Sequence, residues 1–201
     1  MLTGPAIRSA VEAGTIKIDP YDPELVNPAS VDVRLGSKVG VYTDWVECYE
    51  PGYGKVVKMA PEDGMYFRPI DRILDSKKKP AFRVYDIDPE RGWVIKPGIG
   101  YLMHTLEKVS SNHFDPVLDG KSSIGRLFIA VHITAGYGDP GFPGNWTLEV
   151  TSQHPIRVYP GMRIGQIRFE PLQGEIELYN GHYTDGTPGP VASRAYQQFR
   201  S

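Results

Sequence analysis

Turn signals punctuate this chain from end to end. Pro-Gly, Asp-Gly and Asn-Gly pairs and related turns fall at Pro51, Asp63, Pro97, Asp119, Pro140, Pro160 and Asn180. Each imposes a bend or a missing N–H that a long helix cannot absorb. Glycine (22) and proline (18) together supply about one residue in five of the 201, against roughly one in eight in average chains. With 40% apolar and 11% aromatic residues the chain can still bury a core, so disorder is excluded. The expectation is an all-β or mostly-β sandwich or barrel.

One helix is predicted, at the start. Thr3 can cap it, Pro5 lies in its first turn, Gly14 ends it, and Ile7, Ala10 and Val11 share one face. After it the helical period disappears. Short apolar segments recur at Val31 to Leu35, Val39 to Tyr49, Lys55 to Met59, Met65 to Pro69, Phe82 to Tyr85 and Trp93 to Ile95. They continue at Gly100 to Leu106, Arg126 to Ile133, Trp146 to Thr151, Ile156 to Tyr159, Ile164 to Glu170 and Ile176 to Tyr179. These read as strands of one β domain over 1–178, helix included, followed by a Gly/Pro-rich segment over 179–201. That last segment reads as a frayed terminus or as a lid over a ligand.

Charge and cysteine usage exclude several classes. Lys and Arg number 22 and Asp and Glu 24, for a net charge of -2, which gives no electrostatic reason to bind a nucleic-acid polymer or an anionic membrane. The longest apolar run, Leu127 to Val131, is far short of the ~20 residues of a membrane helix. The start, Met-Leu-Thr-Gly-Pro, predicts no secretory signal. A single cysteine, Cys48, suits a reducing, cytoplasmic setting and rules out a zinc site built on cysteine pairs.

The chemistry concentrates between Asp119 and Val150. Gly120, Lys121, Ser122, Ser123 and Arg126 offer backbone N–H groups, hydroxyls and two cations, as a polyphosphate requires. A Walker loop needs glycine where Asp115 stands, and an esterase elbow needs it where Ile124 stands. The paired cysteines of the zinc deaminases are missing. His104, His113, His132, His154 and His182 are not at paired-ligand spacing. Asp139, in Gly138-Asp139-Pro140-Gly141, reads first as a turn residue. Glu149 shares a strand face with Thr147, opposite Leu148 and Val150, and is either solvent-facing or a partly desolvated base. Lys77 to Lys79 read as a solvated loop, with phosphate binding as the alternative.

Six segments in order then resemble the dCTP deaminase branch of the trimeric dUTPase-like superfamily. They are Asn27 to Gly36, Asp119 to Arg126, Thr134 to Phe142, Thr147 to Glu149, Pro160 to Gln166 and Ser193-Arg194. About Ser37 to Asp115 matches only in strand pattern. The resemblance implies a distorted jelly-roll, a homotrimer and active sites at subunit interfaces. It implies Glu149 as the base that activates water against C4 of cytosine, with Ser122 and the Ala135 carbonyl positioning that water and Arg126 keeping the site polar. Lys121, Ser123 and Arg126 would hold phosphates, Mg²⁺ would arrive with the triphosphate, no zinc would be needed, and Asp139 would meet the deoxyribose 3′-OH. Gly136, Tyr137, Thr147, Gln166, Tyr179, His182 and Arg194 complete the implied nucleotide-binding set.

Lys121, the Gly136-Tyr137 pair and the tail from Gly189 to Phe199 resemble the bifunctional members that form dUMP and pyrophosphate. The alternatives are a deaminase that stops at dUTP, a dUTPase working through Asp139 alone, and a silent nucleotide-binding trimer. The chain also departs from the family's pattern. Gly138 replaces an aliphatic residue, Phe128 stands where glycine is common, Thr151-Ser152 lack an asparagine, and His182 falls where a phosphate-binding lysine is usual.

Overall fold

The computed structural model describes residues 1–43, 73–183 and 185–199, together with the backbone of three strands between 46 and 69. The chain order is α1 (Gly4–Glu12), β1 (Ile16–Asp19), β2 (Val31–Arg34), β3 (Lys38–Tyr42), β4 (Val46–Glu50), β5 (Gly54–Lys55), β6 (Tyr66–Pro69) and β7 (Phe82–Asp86). It continues with β8 (Trp93–Ile95), β9 (Tyr101–Ser111), β10 (Phe114–Gly120), α2 (Ser122–Gly125), β11 (Ile129–Ala130), β12 (Asn145–Ser152), β13 (Ile156–Val158) and β14 (Arg163–Pro171). A 3₁₀ turn, Ala195–Phe199, lies in the tail. The segment Lys55 to Met59 beyond its first residue, the turns at Pro51 and Asp63, and the Cys48 side chain lie outside the described residues.

The main sheet runs β11-β12-β9-β3-β7, with β1 added along the far end of β9. A second sheet, β10-β14-β2, faces the same core, and the Leu35–Thr105 bridge joins the two. All pairings are antiparallel, so short turns suffice as connections. Leu35, Ile95, Tyr101, Met103, Leu148, Val150, Ile164, Ile167 and Phe169 are fully buried between the sheets. Each such side chain contributes about 1.5–3 kcal/mol of burial free energy. The mostly-β expectation therefore holds.

The N-terminal helix forms where predicted, with Ile7 fully buried and Ala10 and Val11 packed on the core. Thr3 occupies the cap position, but its side chain makes no capping bond; its carbonyl takes the Ile7 N–H. Gly14 follows in the left-handed conformation, φ 72°, which favours glycine.

Several expected elements need correction. Arg126 to Ile133 is not a strand: a helical turn over Ser122–Gly125 precedes it, and only Ile129–Ala130 pairs. Ile176 to Tyr179 forms no strand and is mostly exposed. Two unexpected strands form instead, β1 and β10. Strand β10 contains Pro116, a residue disfavoured within strands, and runs on through Asp119 and Gly120, paired with Gln166 and Gly165, so the turn expected there does not form. It lies at the sheet edge, where a missing N–H leaves no ladder bond unmade.

Candidate active site

Strand β12 alternates half-exposed and buried residues along its whole length. Trp146, Leu148, Val150 and Ser152 enter the core, while Asn145, Thr147, Glu149 and Thr151 point outward. The expected shared face of Thr147 and Glu149 is thus present. That face opens on a cleft of about 390 Å³. Ala135, Tyr137, Asp139, Thr147, Glu149 and Tyr179 all line it. A register shift between Asn145 and Thr147 also brings Trp146, otherwise a core residue, to the cleft wall.

The loop between β11 and β12 forms the second wall. It runs beside the edge strand β10: Leu118 N–H donates to the Gly136 carbonyl at 2.7 Å and Gly138 N–H to the Pro116 carbonyl at 2.8 Å. Gly136 follows from this tight approach, since a Cβ there would stand 2.6 Å from the Leu118 carbonyl oxygen. At Gly138 a Cβ would stand 2.2 Å from the Trp146 ring, so the absent aliphatic side chain is replaced in space by the indole. Asp139 then takes φ 51°, an uncommon conformation for a residue with a side chain. Asp115 lies beneath it, accepting the Asp139 N–H and feeling the Asp139 charge. Burial first, and that charge second, push the Asp115 carboxyl above the usual range.

Glu149 is half-buried, and its Oε2 accepts the Ile133 N–H at 3.1 Å. A carboxylate oriented by one backbone donor, with its remaining lone pairs facing a cleft, can take a proton from a water there. Around it stand Tyr42, Phe142, Trp146, Tyr179 and Tyr183. Phe142 meets Trp146 and Tyr179 edge-on, with ring centroids 5.9 Å and 5.6 Å apart, an arrangement worth about 0.5–1.5 kcal/mol per pair. Such an aromatic wall with a few polar groups suits a planar heterocycle.

The remaining candidate residues gather elsewhere. Ser122, Ser123 and Arg126 are exposed on and after α2 and do not line the cleft. Lys121 is paired: its ammonium lies 2.6 Å and 2.7 Å from the two oxygens of Asp32, a fully buried residue. Asn27 and Arg163 complete the Asp32 shell at 2.7 Å and 3.5 Å. Gln166 donates to the Gly120 carbonyl at 3.2 Å and borders a separate cavity of about 170 Å³, lined also by Met1, Ala29, Ser30, Asp119 and Arg168. Leu127, Phe128, Ile133 and Tyr137 are exposed on the loop that joins the two regions.

The tail folds back over the cleft, contributing Tyr183, Asp185, Gly186, Thr187, Val191 and Ser193 to its lining. His182 is exposed, and its carbonyl accepts from Arg194. Arg194 also pairs with Asp185 at 2.5 Å and stacks 5.2 Å from the Tyr183 ring centroid. Tyr42, Phe142, Trp146 and Tyr183 escaped the sequence reading. Tyr42 falls in the part of the chain without family motifs, and Trp146 alternates with Leu148 and Val150 as a core residue would. Among the described residues no group of three or more His, Cys, Asp or Glu could hold a metal ion. No helix among them is long and apolar enough to cross a membrane.

Comparison with known proteins gives this geometry its context. A dCTP deaminase-like family model matches residues 1–172. A protein of Leptospira biflexa named dCTP deaminase, dUMP-forming, is 37% identical over 199 residues, which span 99% of this chain and 98% of its own. A protein of Cytophaga hutchinsonii with the same name is 37% identical over 184 residues, 92% of this chain and 90% of its own. The crystal structure of 2′-deoxycytidine 5′-triphosphate deaminase from Agrobacterium tumefaciens aligns with a TM-score of 0.56 and 26% identity, over 84% of this chain. This chain spans 46% of that one. A cleft bearing Glu149, Asp139 and an aromatic wall, on a mostly-β scaffold matched almost throughout its length, places the chain in the dCTP deaminase-like family.

Proposed function

We propose that the chain deaminates dCTP and carries the product on to dUMP. The observation that carries this reading is the convergence of Glu149, Ala135, Asp139 and Thr147 on one aromatic cleft, in a chain 37% identical to a relative named for that reaction. Water held by the Ser122 hydroxyl and the Ala135 carbonyl gives a proton to Glu149 and adds to C4 of the cytosine. Glu149 passes that proton to N3, then takes the proton of the new C4 hydroxyl and gives it to the departing amine, so that ammonia leaves and C4 becomes a carbonyl. Arg126 keeps the site polar and binds phosphate, as does Ser123. A second water then displaces pyrophosphate from the α-phosphorus, with Mg²⁺ entering and leaving on the polyphosphate. Asp139 takes the deoxyribose 3′-OH and serves as the carboxylate that activates that second water.

Ser122, Ser123 and Arg126 belong to this scheme through a neighbouring copy. They are exposed and do not line the cleft of their own chain, and the apolar Leu127, Phe128 and Ile133 beside them are 47%, 55% and 59% exposed. Exposed apolar side chains grouped around polar site residues mark an interface. The reading is a homotrimer in which each cleft is completed by the α2 segment of the next protomer, and the tail over 179–201 is the lid. A cytoplasmic, reducing setting suits a chain with one cysteine.

Incubation with dCTP and Mg²⁺, with nucleotides resolved by chromatography and ammonia assayed, tests the reading. Equal release of dUMP, pyrophosphate and ammonia is expected. Accumulating dUTP would remove the second step, and unchanged dCTP would overturn the whole. Replacing Glu149 with Gln keeps the Ile133 contact but removes the base, and ammonia release falls by about 10²–10⁴.

A further inference from the structure

The tail is gripped through its main chain by hydroxyl groups. Val191 N–H donates to Thr147 Oγ1 at 3.1 Å, and Ser193 N–H donates to the Tyr42 hydroxyl at 2.9 Å. Arg194 N–H donates to the Tyr183 hydroxyl at 3.0 Å, and Tyr183 N–H to the Tyr179 hydroxyl at 3.3 Å. All four acceptors line the cleft. Tyr179 and Tyr183 belong to the tail itself, whereas Thr147 and Tyr42 belong to β12 and β3, the rigid body of the fold. The two body-side anchors engage residues two apart, so alternate N–H groups of an extended segment face inward.

Tyr42 is the anchor with no role so far. Its ring is held 5.5 Å from the Phe82 ring, across the β3–β7 pair, so the hydroxyl is delivered from a fixed base. A phenol that accepts through its oxygen still has a proton to place, and this one shares its cleft with Glu149, Asp139 and Asp185. Burial, with the charge of Glu149 a smaller contribution, holds its pKa above the ordinary value. The group therefore stays a neutral acceptor and donor at once.

We propose that Tyr42 is a positioning residue that fixes the tail over the cleft and thereby sets nucleotide affinity. The proposal rests on the deaminase reading only for the identity of the nucleotide. The tail contributes seven cleft-lining residues, so its seating determines whether a bound nucleotide is enclosed. Loss of one neutral hydrogen bond lowers the seated fraction, and the cost falls on binding more than on the chemical step.

The test is Tyr42→Phe, which keeps the ring against Phe82 and removes only the acceptor. Amide hydrogen exchange of residues 189–199, measured without nucleotide, is expected to speed up about three- to ten-fold, while exchange in β9 and β14 stays at the wild-type rate. With dCTP, KM is expected to rise by a similar factor, with kcat changed less. Thr147→Val supplies the second variant, and its tail exchange should accelerate in the same residues. Unchanged tail exchange in Tyr42→Phe would overturn the proposal, and so would faster exchange with an unchanged KM. A wild-type protein inert towards dCTP, whose tail exchange still responds to Tyr42→Phe, would sink the deaminase reading and leave the tail anchor standing.

Discussion

Two residues show how far single side chains carry this site. Gly138 has no room for a methyl group, because the Trp146 ring lies 2.2 Å from where its Cβ would be. Gly138→Ala should therefore destabilise the protein by about 1–3 kcal/mol, as overpacking does. Urea unfolding is the measure, and the double variant with Trp146→Val should lose less than the sum of the two single losses. Lys121 carries the opposite lesson. The run Gly120-Lys121-Ser122-Ser123 reads as a phosphate cradle, yet the lysine is bound to Asp32, a buried carboxylate 89 residues earlier. Lys121→Met leaves that carboxylate with Asn27 and a distant Arg163. Stability is expected to fall by about 3 kcal/mol, with the denaturation midpoint as readout. The sequence could not reveal this, since both members of an ion pair look like surface charges until the fold brings them together.

At the scale of elements, alternation was the legible signal. Strand β12 follows its period-two pattern without a break in burial, so the outward face of Thr147 and Glu149 could be read before any coordinates. The α2 segment could not be read so. Its run of apolar residues matches a strand, but Leu127 and Phe128 are exposed and Phe128 takes φ 58°. Strand β9 holds a pH-sensitive contact. His104 is buried against Gly36, where a Cβ would lie 2.0 Å from the ring. Its Nδ1–H donates to the Thr105 carbonyl at 2.9 Å and its Nε2 accepts the Lys38 N–H at 3.3 Å, an arrangement that only the neutral ring satisfies. Burial lowers its pKa. Below about pH 6.5 the unfolded chain takes up a proton that the folded ring refuses. Stability present above that pH is lost as the solution is acidified towards the lowered folded value. Unfolding midpoints at pH 7.5 and 5.5 should show the drop, and His104→Gln should flatten it.

The whole molecule divides its chemistry between two regions. The cleft holds Glu149 and the aromatic wall, and the α2 segment holds the hydroxyls and Arg126 on the outside of the same chain. If each cleft is completed by a neighbour, two inactive variants should repair one another. Mixing Glu149→Gln with Arg126→Ala, after unfolding and refolding together, should regain about a quarter of wild-type activity, the share of intact pairs in randomly assembled rings. Failure to recover any activity would argue for sites built within one chain. The motifs in order along the sequence named the candidate residues, but not that two sets of them lie apart, because order along a chain carries no distance.

The grip on the tail has a consequence for how this protein can change over generations. Its anchors take hold of N–H groups, which every residue except proline possesses, and ask little of the side chains that pass beneath them. The side chains of Val191 and Ser193 can therefore be exchanged without losing these two bonds. What inheritance must preserve are the hydroxyls, those of Tyr42 and Thr147 on the body of the fold and those of Tyr179 and Tyr183 within the tail. The left-handed bend at Gly189, φ 89°, belongs with them.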